Sequence, residues 1–196
     1  MFKIRFLFFS FILFFCSNAH GNEYHELWTK CGLFNYSQKI DFYNYFNTKT
    51  REQRTAYHEA GHALTCVLLG KKILKATIIS DKNKKSDGSV LFLSVPYSSN
   101  ETIKIFLAGY AAEEIIYGQA CLGIKSDLEM ATEVASQLCS APINTQDDVI
   151  NQLKNELAQT KLLISNNFPL LEKIAQELLA KKELTGDEIY EIVNNG

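Results

Sequence analysis

The sequence predicts a mainly α fold with one small β-sheet (α+β), and three observations carry that reading. The chain has 196 residues, 46% hydrophobic and 21% charged, enough to bury one sizeable core and too few for two full domains. Beyond residue 50, apolar residues recur mostly at helical spacing between recognisable caps. Only two short runs, "ILKATII" (73–79) and "GSVLFLSVP" (88–96), are β-rich, and the polar loop "SDKNKKSD" separates them.

The first residues stand apart from this body. Lys3 and Arg5 precede an apolar run from Phe6 to Cys16, and "SNA" follows with small residues Ser17 and Ala19. That is the layout of a secretory signal peptide over residues 1–19, and the apolar run is too short to span a bilayer comfortably. No Lys or Arg recurs until Lys30, so the body is expected outside the cytoplasm, periplasmic or secreted. If uncleaved, residues 6–16 would anchor it to the membrane. Residues 20–49 form an aromatic-rich N-terminal extension, with a short helix expected around Tyr36 to Phe46. The body is assigned to residues 50–196.

Within the body, Thr50-Arg-Glu-Gln53 has the form of a capping box. The helix it opens carries Ala56, Ala60, Ala63, Leu64, Val67 and Leu68 on its apolar positions and stops at Gly70. After the two strands, Asn100 and Glu101 open a helix through "IKIFLAGYAAEEIIYG" that ends at Gly118. Ser126-Asp-Leu-Glu129 is read as a second capping box. Thr145 begins a long helix, "PLLEKIAQELLAKK" forms another, and Thr185-Gly-Asp-Glu188 caps the last.

Composition removes several function classes. A net charge of −2 without a basic cluster excludes nucleic acid as the main partner. No Gly-rich phosphate loop occurs, so no nucleotide is expected. Cys31, Cys66, Cys121 and Cys139 remain after the leader, and four cysteines allow three pairings, none favoured by spacing. They contain no CxxC, which argues against a thiolate zinc knuckle. Cys66 lies on the apolar helix and is read as a small core residue.

The first body helix carries the chemistry. "HEAGH" spends two of the four histidines, His58 and His62, four positions apart and therefore on one helix face. Neutral imidazoles in that relation suit a zinc ion, and Glu59 flanks the position without needing to ligate. A carboxylate there can act as general base toward a water. Burying Glu59 and two histidines on an apolar helix without such a role would be costly. His20 and His25 are read as solvated surface residues. A third ligand must come from elsewhere, and Glu113, Glu114 and Asp127 are the candidates.

Three blocks, "AYHEAGHAL", "LAGYAAEEIIYG" and "SDLEMATEVA", follow one another in this order. Together they resemble the peptidase domain of the FtsH family of membrane AAA proteases. The likeness extends over roughly residues 50 to 195, including "LLISNNFPLLEKIAQELLAKKELTGDEIYEIV". It implies a helical zincin domain with one Zn2+ per chain, held by His58, His62 and Asp127, with Glu59 as catalytic base. It also implies that Glu113 and Glu114 support the ligands from behind rather than binding the ion. Two departures accompany it. The approach to Asp127 reads "LGIKSD" where the family has a "TGAxND" pattern, and the domain is expected to stand alone, without the ATPase module that precedes it in the family.

The function expected is an exported zinc endopeptidase that works without an ATPase motor on flexible or unfolded polypeptides. The alternative is a non-catalytic relative that keeps the fold as a zinc-binding adaptor. Glu59 discriminates between them, since a purely structural site would not require it. The resembling family forms six-fold rings, but the rings are held partly by the ATPase part, and a monomer is an equal expectation here. In that family the strand matching 88–96 borders the cleft, with Val90, Phe92 and Ser94 on one face and Leu91, Leu93 and Val95 on the other.

Overall fold

A computed structural model describes residues 28–30, 48–80, 86–93, 99–118, 120, 125–139 and 145–195. The leader, His20, His25, Cys31, Cys121, the helix expected at Tyr36 to Phe46, and Ser94 and Val95 lie outside these. The elements run α1 (Thr48–Leu68), β1 (Lys72–Thr77), β2 (Ser89–Leu93), α2 (Asn100–Tyr117), α3 (Lys125–Leu138), α4 (Gln146–Asn166), α5 (Phe168–Lys181), β3 (Glu183–Thr185) and α6 (Gly186–Asn194). No helix among the described residues is long and apolar enough to cross a membrane.

Helix α1 is the central element and packs against α2, α5 and β1. Ala56, Ala60, Ala63, Leu64 and Cys66 are fully buried along it, and the small residues let its neighbours approach closely. At Gly61 a Cβ would lie 2.6 Å from the Ala108 carbonyl oxygen and 2.7 Å from the Ala112 Cβ. The α1–α2 crossing therefore has room for a hydrogen atom and nothing larger. The helix starts two residues before the expected box, because nothing at 48–50 breaks it, and Thr50 lies inside it. It ends in a Schellman motif: Gly70 N–H donates to Val67 O at 2.9 Å and Lys71 N–H to Cys66 O at 2.8 Å. Gly70 has φ 68°, a left-handed conformation that glycine adopts without steric cost.

The sheet has the order β2-β1-β3, with both pairings antiparallel. Strand β3 leaves no trace in the sequence pattern, because three residues between two helices are too short to show alternation. It pairs Leu184 with Ala76 and buries Leu184 completely. Strand β2 is one of the two edge strands among the described residues, with Ser89, Leu91 and Leu93 exposed and Val90 and Phe92 half-buried. Its alternation follows the expected faces.

Helix α2 is capped by Ser99, whose hydroxyl accepts from Thr102 N–H at 3.2 Å, and ends at Gly118 with φ 72°. Helix α3 starts at Lys125, two residues before the first helical position that a Ser126 cap would give, so Ser126 lies within the helix. Asp127 consequently sits in the first turn, where the helix N-terminus favours a negative charge. Thr145 and Thr185 open α4 and α6 as expected, with Asp148 and Glu188 reaching back to their N–H groups at 2.8 Å. Cys66 and Cys139 are both free, and Cys66 is a core residue.

Candidate metal centre and active site

Helix α1 delivers His58, Glu59 and His62 from one turn, and the first turn of α3 brings Asp127 to them. Nε2 of His58 lies 3.0 Å from Nε2 of His62 and 3.0 Å from Asp127 Oδ2. Nε2 of His62 is 3.3 Å from the same oxygen. The structure thus gathers into one cluster three residues that are separated by up to 69 positions in the chain.

The far sides of both rings are held by α2. His62 Nδ1 lies 2.7 Å from the Ile105 carbonyl oxygen, and His58 Nδ1 lies 2.8 Å from Glu113 Oε1. A carbonyl can only accept, so Nδ1 of His62 donates, and in the neutral ring Nε2 presents its lone pair to the cluster. The same logic applies to His58 against the Glu113 carboxylate. Two imidazole nitrogens and a carboxylate oxygen therefore converge as acceptors on one point. A proton can bridge two of them at a time, whereas a divalent cation can meet all three. The donor set fits a metal of the zinc type by its own chemistry.

The electrostatics agree that this point attracts positive charge. Burial weighs against a charged His58, but hydrogen bonds to Asp127 and Glu113 outweigh it and raise its pKa well above the ordinary imidazole value. Burial also pushes Asp127 upward, yet the two histidines hold it below the usual carboxylate range.

Glu59 is 6% exposed, and burial, partly opposed by the two histidines, pushes its carboxyl up to about 7. A carboxyl in that range can exchange a proton near neutral pH. Its oxygen fits against Gly88, immediately before β2, where a Cβ would stand 2.6 Å from Glu59 Oε1. Arg51 in α1 grips Asp87 with Nη2–Oδ1 and Nε–Oδ2 bonds of 2.7 and 2.9 Å, which ties that turn to the same helix.

Glu113 and Glu114 are adjacent on α2 and so project about 100° apart; only one can face His58. Glu113 does, and is 3% exposed. Glu114 instead forms an ion pair with Lys161 of α4 at 2.7 Å, away from the cluster. Three residues escaped the sequence reading. Arg54 Nη1 lies 3.3 Å from Glu113 Oε2 and its guanidinium 4.4 Å over the Tyr117 ring. Gly109 sits where a Cβ would come within 2.4 Å of the His58 ring. Gly88 is the third. Arg54 lies one turn before His58, a spacing that could have signalled it; the glycines carry no signal until the packing is known.

Comparison with known proteins sets this geometry in a family. Residues 45–141 match the model of peptidase family M41. Among curated relatives is an ATP-dependent zinc metalloprotease FtsH of Mycoplasmopsis synoviae, 30% identical over 76% of this chain and 29% of that protein. Proteins of the same name from Lachnoclostridium phytofermentans and Mesomycoplasma conjunctivae are 33% and 38% identical. They cover 70% and 73% of this chain and 29% and 25% of their own length. The chain spans less than a third of the length of these relatives. The matched span contains both histidines of the cluster, Glu59, Glu113 and Asp127, and on that ground the chain belongs to peptidase family M41.

Proposed function

We propose that the chain is a zinc-dependent endopeptidase domain acting on flexible or unfolded polypeptides, with His58, His62 and Asp127 as the metal ligands and Glu59 as general base. The observation that carries this reading is the convergence of three acceptor atoms beside the buried carboxyl of Glu59. When bound, zinc would polarise the scissile carbonyl and make a water more acidic. Glu59 Oε1 or Oε2 would then take the water proton and return it to the departing amine nitrogen. Gly88 leaves the Glu59 carboxyl its place, and Glu113 and the Ile105 carbonyl orient the two imidazoles so that Nε2 faces inward.

Substrate form follows from β2. Ile73 N–H donates to Tyr190 Oη at 3.3 Å, and so points away from β2. Ile73 is paired with Phe92; in an antiparallel ladder both members of such a pair point the same way, inward or outward. The Phe92 N–H therefore faces the outer edge, as does that of Val90 two residues before it. An extended peptide can add there as a further strand, starting beside Gly88 and Glu59. Only a segment free to extend can do so, which favours flexible substrates and needs no motor within this domain. The leader-like residues 1–19 support an exported location for the domain.

Glu59→Gln tests the catalytic assignment. It keeps size and hydrogen bonding, so zinc content should stay at one per chain while casein-peptide cleavage falls by about 10²–10⁴-fold, as for a lost general base. Unchanged cleavage would place the protein with non-catalytic relatives.

A further inference from the structure

Trp28, the only tryptophan of the chain, lies well before the residues that match the peptidase family. It is 3% exposed and belongs to the main apolar core. Its indole N–H donates to Thr132 Oγ1 at 3.0 Å, a buried bond between residues 104 positions apart. Thr132 is itself 1% exposed, and its hydroxyl donates to the Leu128 carbonyl at 2.7 Å. Leu128 is the neighbour of Asp127. Trp28 is thus joined by two successive hydrogen bonds to the first turn of the helix that brings the third acid to the cluster.

The placement of α3 explains why such a joint would matter. Both histidines ride on α1, which is buried on several sides, whereas α3 packs against α2 and, less extensively, α4. Among the described residues, Asp127 comes from a helix packed against fewer elements than α1, which carries both histidines. Thr132 lies five residues beyond Asp127, about 7.5 Å along the axis, so a contact there limits both rotation and sliding of that turn. A large aromatic brings extensive buried surface to such a joint, and its N–H fixes the orientation.

We infer that Trp28 is a positioning residue for the metal centre: its side chain clasps α3 through the Trp28–Thr132 bond and holds Asp127 in place for the ion. The inference rests on the metallopeptidase reading above. The clasp residues touch neither metal nor substrate and act only through α3.

Zinc affinity and the fluorescence of the one tryptophan test it on the whole chain. In Thr132→Val and Trp28→Phe, the zinc dissociation constant, measured against a chromophoric chelator, should rise about tenfold, the lower end of the effect of outer-shell partners. The far-ultraviolet circular dichroism of both should match wild type. Coupling is reciprocal, so removing zinc from the wild type should raise acrylamide quenching of Trp28. If Trp28→Phe does not fold, Thr132→Val and the wild-type quenching decide. Wild-type zinc affinity in the folded variants, or Trp28 quenching indifferent to zinc, would overturn the clasp and leave the metallopeptidase reading standing. Failure of the wild type to bind zinc would overturn both.

Discussion

Glu113 Oε1 lies 2.8 Å from His58 Nδ1 while its other oxygen faces Arg54 Nη1 at 3.3 Å, so one carboxylate joins a buried arginine to a cluster histidine. Arg54 and Glu113 are both buried, and this geometry fixes the His58 ring from behind. In Glu113→Gln the charge is lost at constant size, and zinc should bind about 10–100-fold more weakly, as when other histidine-orienting partners are removed. Chelator competition reads the effect. An unchanged dissociation constant would show that Glu113 serves the fold alone.

Arg54 should show the opposite balance. Arg54→Met fills similar space with an apolar chain but leaves the Glu113 carboxylate without its cation, and breaking a buried pair in this way costs about 3–5 kcal/mol. Urea denaturation of the zinc-loaded protein measures it. A loss below about 1 kcal/mol, the level of an exposed pair, would mean that solvent or a neighbour replaces the guanidinium.

The two glycines divide binding from catalysis. In Gly109→Ala the methyl group would come within 2.4 Å of the His58 ring, so the imidazole must move and zinc should be lost. In Gly88→Ala it would meet Glu59 Oε1 at 2.6 Å and Thr77 O at 2.8 Å. The carboxylate must then move while the ligands stay, and the expected result is a zinc-loaded protein with cleavage reduced at least tenfold. Metal analysis and a peptide assay on both variants check this, and loss of zinc from Gly88→Ala would contradict it.

Helix α6 supplies the pH dependence. The backbone N–H of Thr185, followed by Lys181 and the Thr185 hydroxyl, lowers the Glu188 pKa from 4.5 to about 2. A carboxyl depressed in the folded state contributes stability that is complete above its unfolded value and disappears as the pH falls through the folded one. The cap should therefore weaken between about pH 4.5 and 2. Tyr190 on the same helix donates to Lys71 O at 3.0 Å and accepts from Ile73 N–H, so loosening of α6 reaches β1. A carbon-detected titration should place the Glu188 midpoint near 2; a midpoint above 4 would refute the cap's role.

What could be read from the residues follows the range of each interaction. His58, Glu59 and His62 share one helical turn, so spacing alone put them on one face. The caps at Thr145 and Thr185 are similarly local. Asp127 comes from 69 positions away from His58; spacing left it level with Glu113 and Glu114, and only the resemblance singled it out. The choice between Glu113 and Glu114 depends on the rotation of α2 about its axis, which Gly61 and Gly109 fix by allowing close approach to α1. Strand β3 needed the finished sheet edge before its three residues had a reason to be extended. Trp28 stands in an aromatic-rich segment without periodicity, where no pattern separates a core anchor from its neighbours.

The outward Phe92 N–H makes strand addition testable with a matched pair of prolines. Proline is tolerated on an edge strand where the missing N–H faces away from the sheet and is disruptive where it faces the partner strand. Phe92 therefore lies at a tolerant position, and Leu91, whose N–H points toward β1, at a disruptive one. Phe92→Pro should fold, bind zinc and show helical circular dichroism like wild type, with only the half-buried aromatic side chain lost. Phe92→Ala controls for that loss. Removing one intermolecular hydrogen bond should weaken substrate capture by about 0.5–1.5 kcal/mol, or roughly 2–13-fold in kcat/KM on unfolded casein relative to Phe92→Ala. Leu91→Pro should instead unfold the sheet edge and lower thermal stability. If folded, zinc-loaded Phe92→Pro cleaves casein as fast as Phe92→Ala, the substrate does not pair with β2 at this residue.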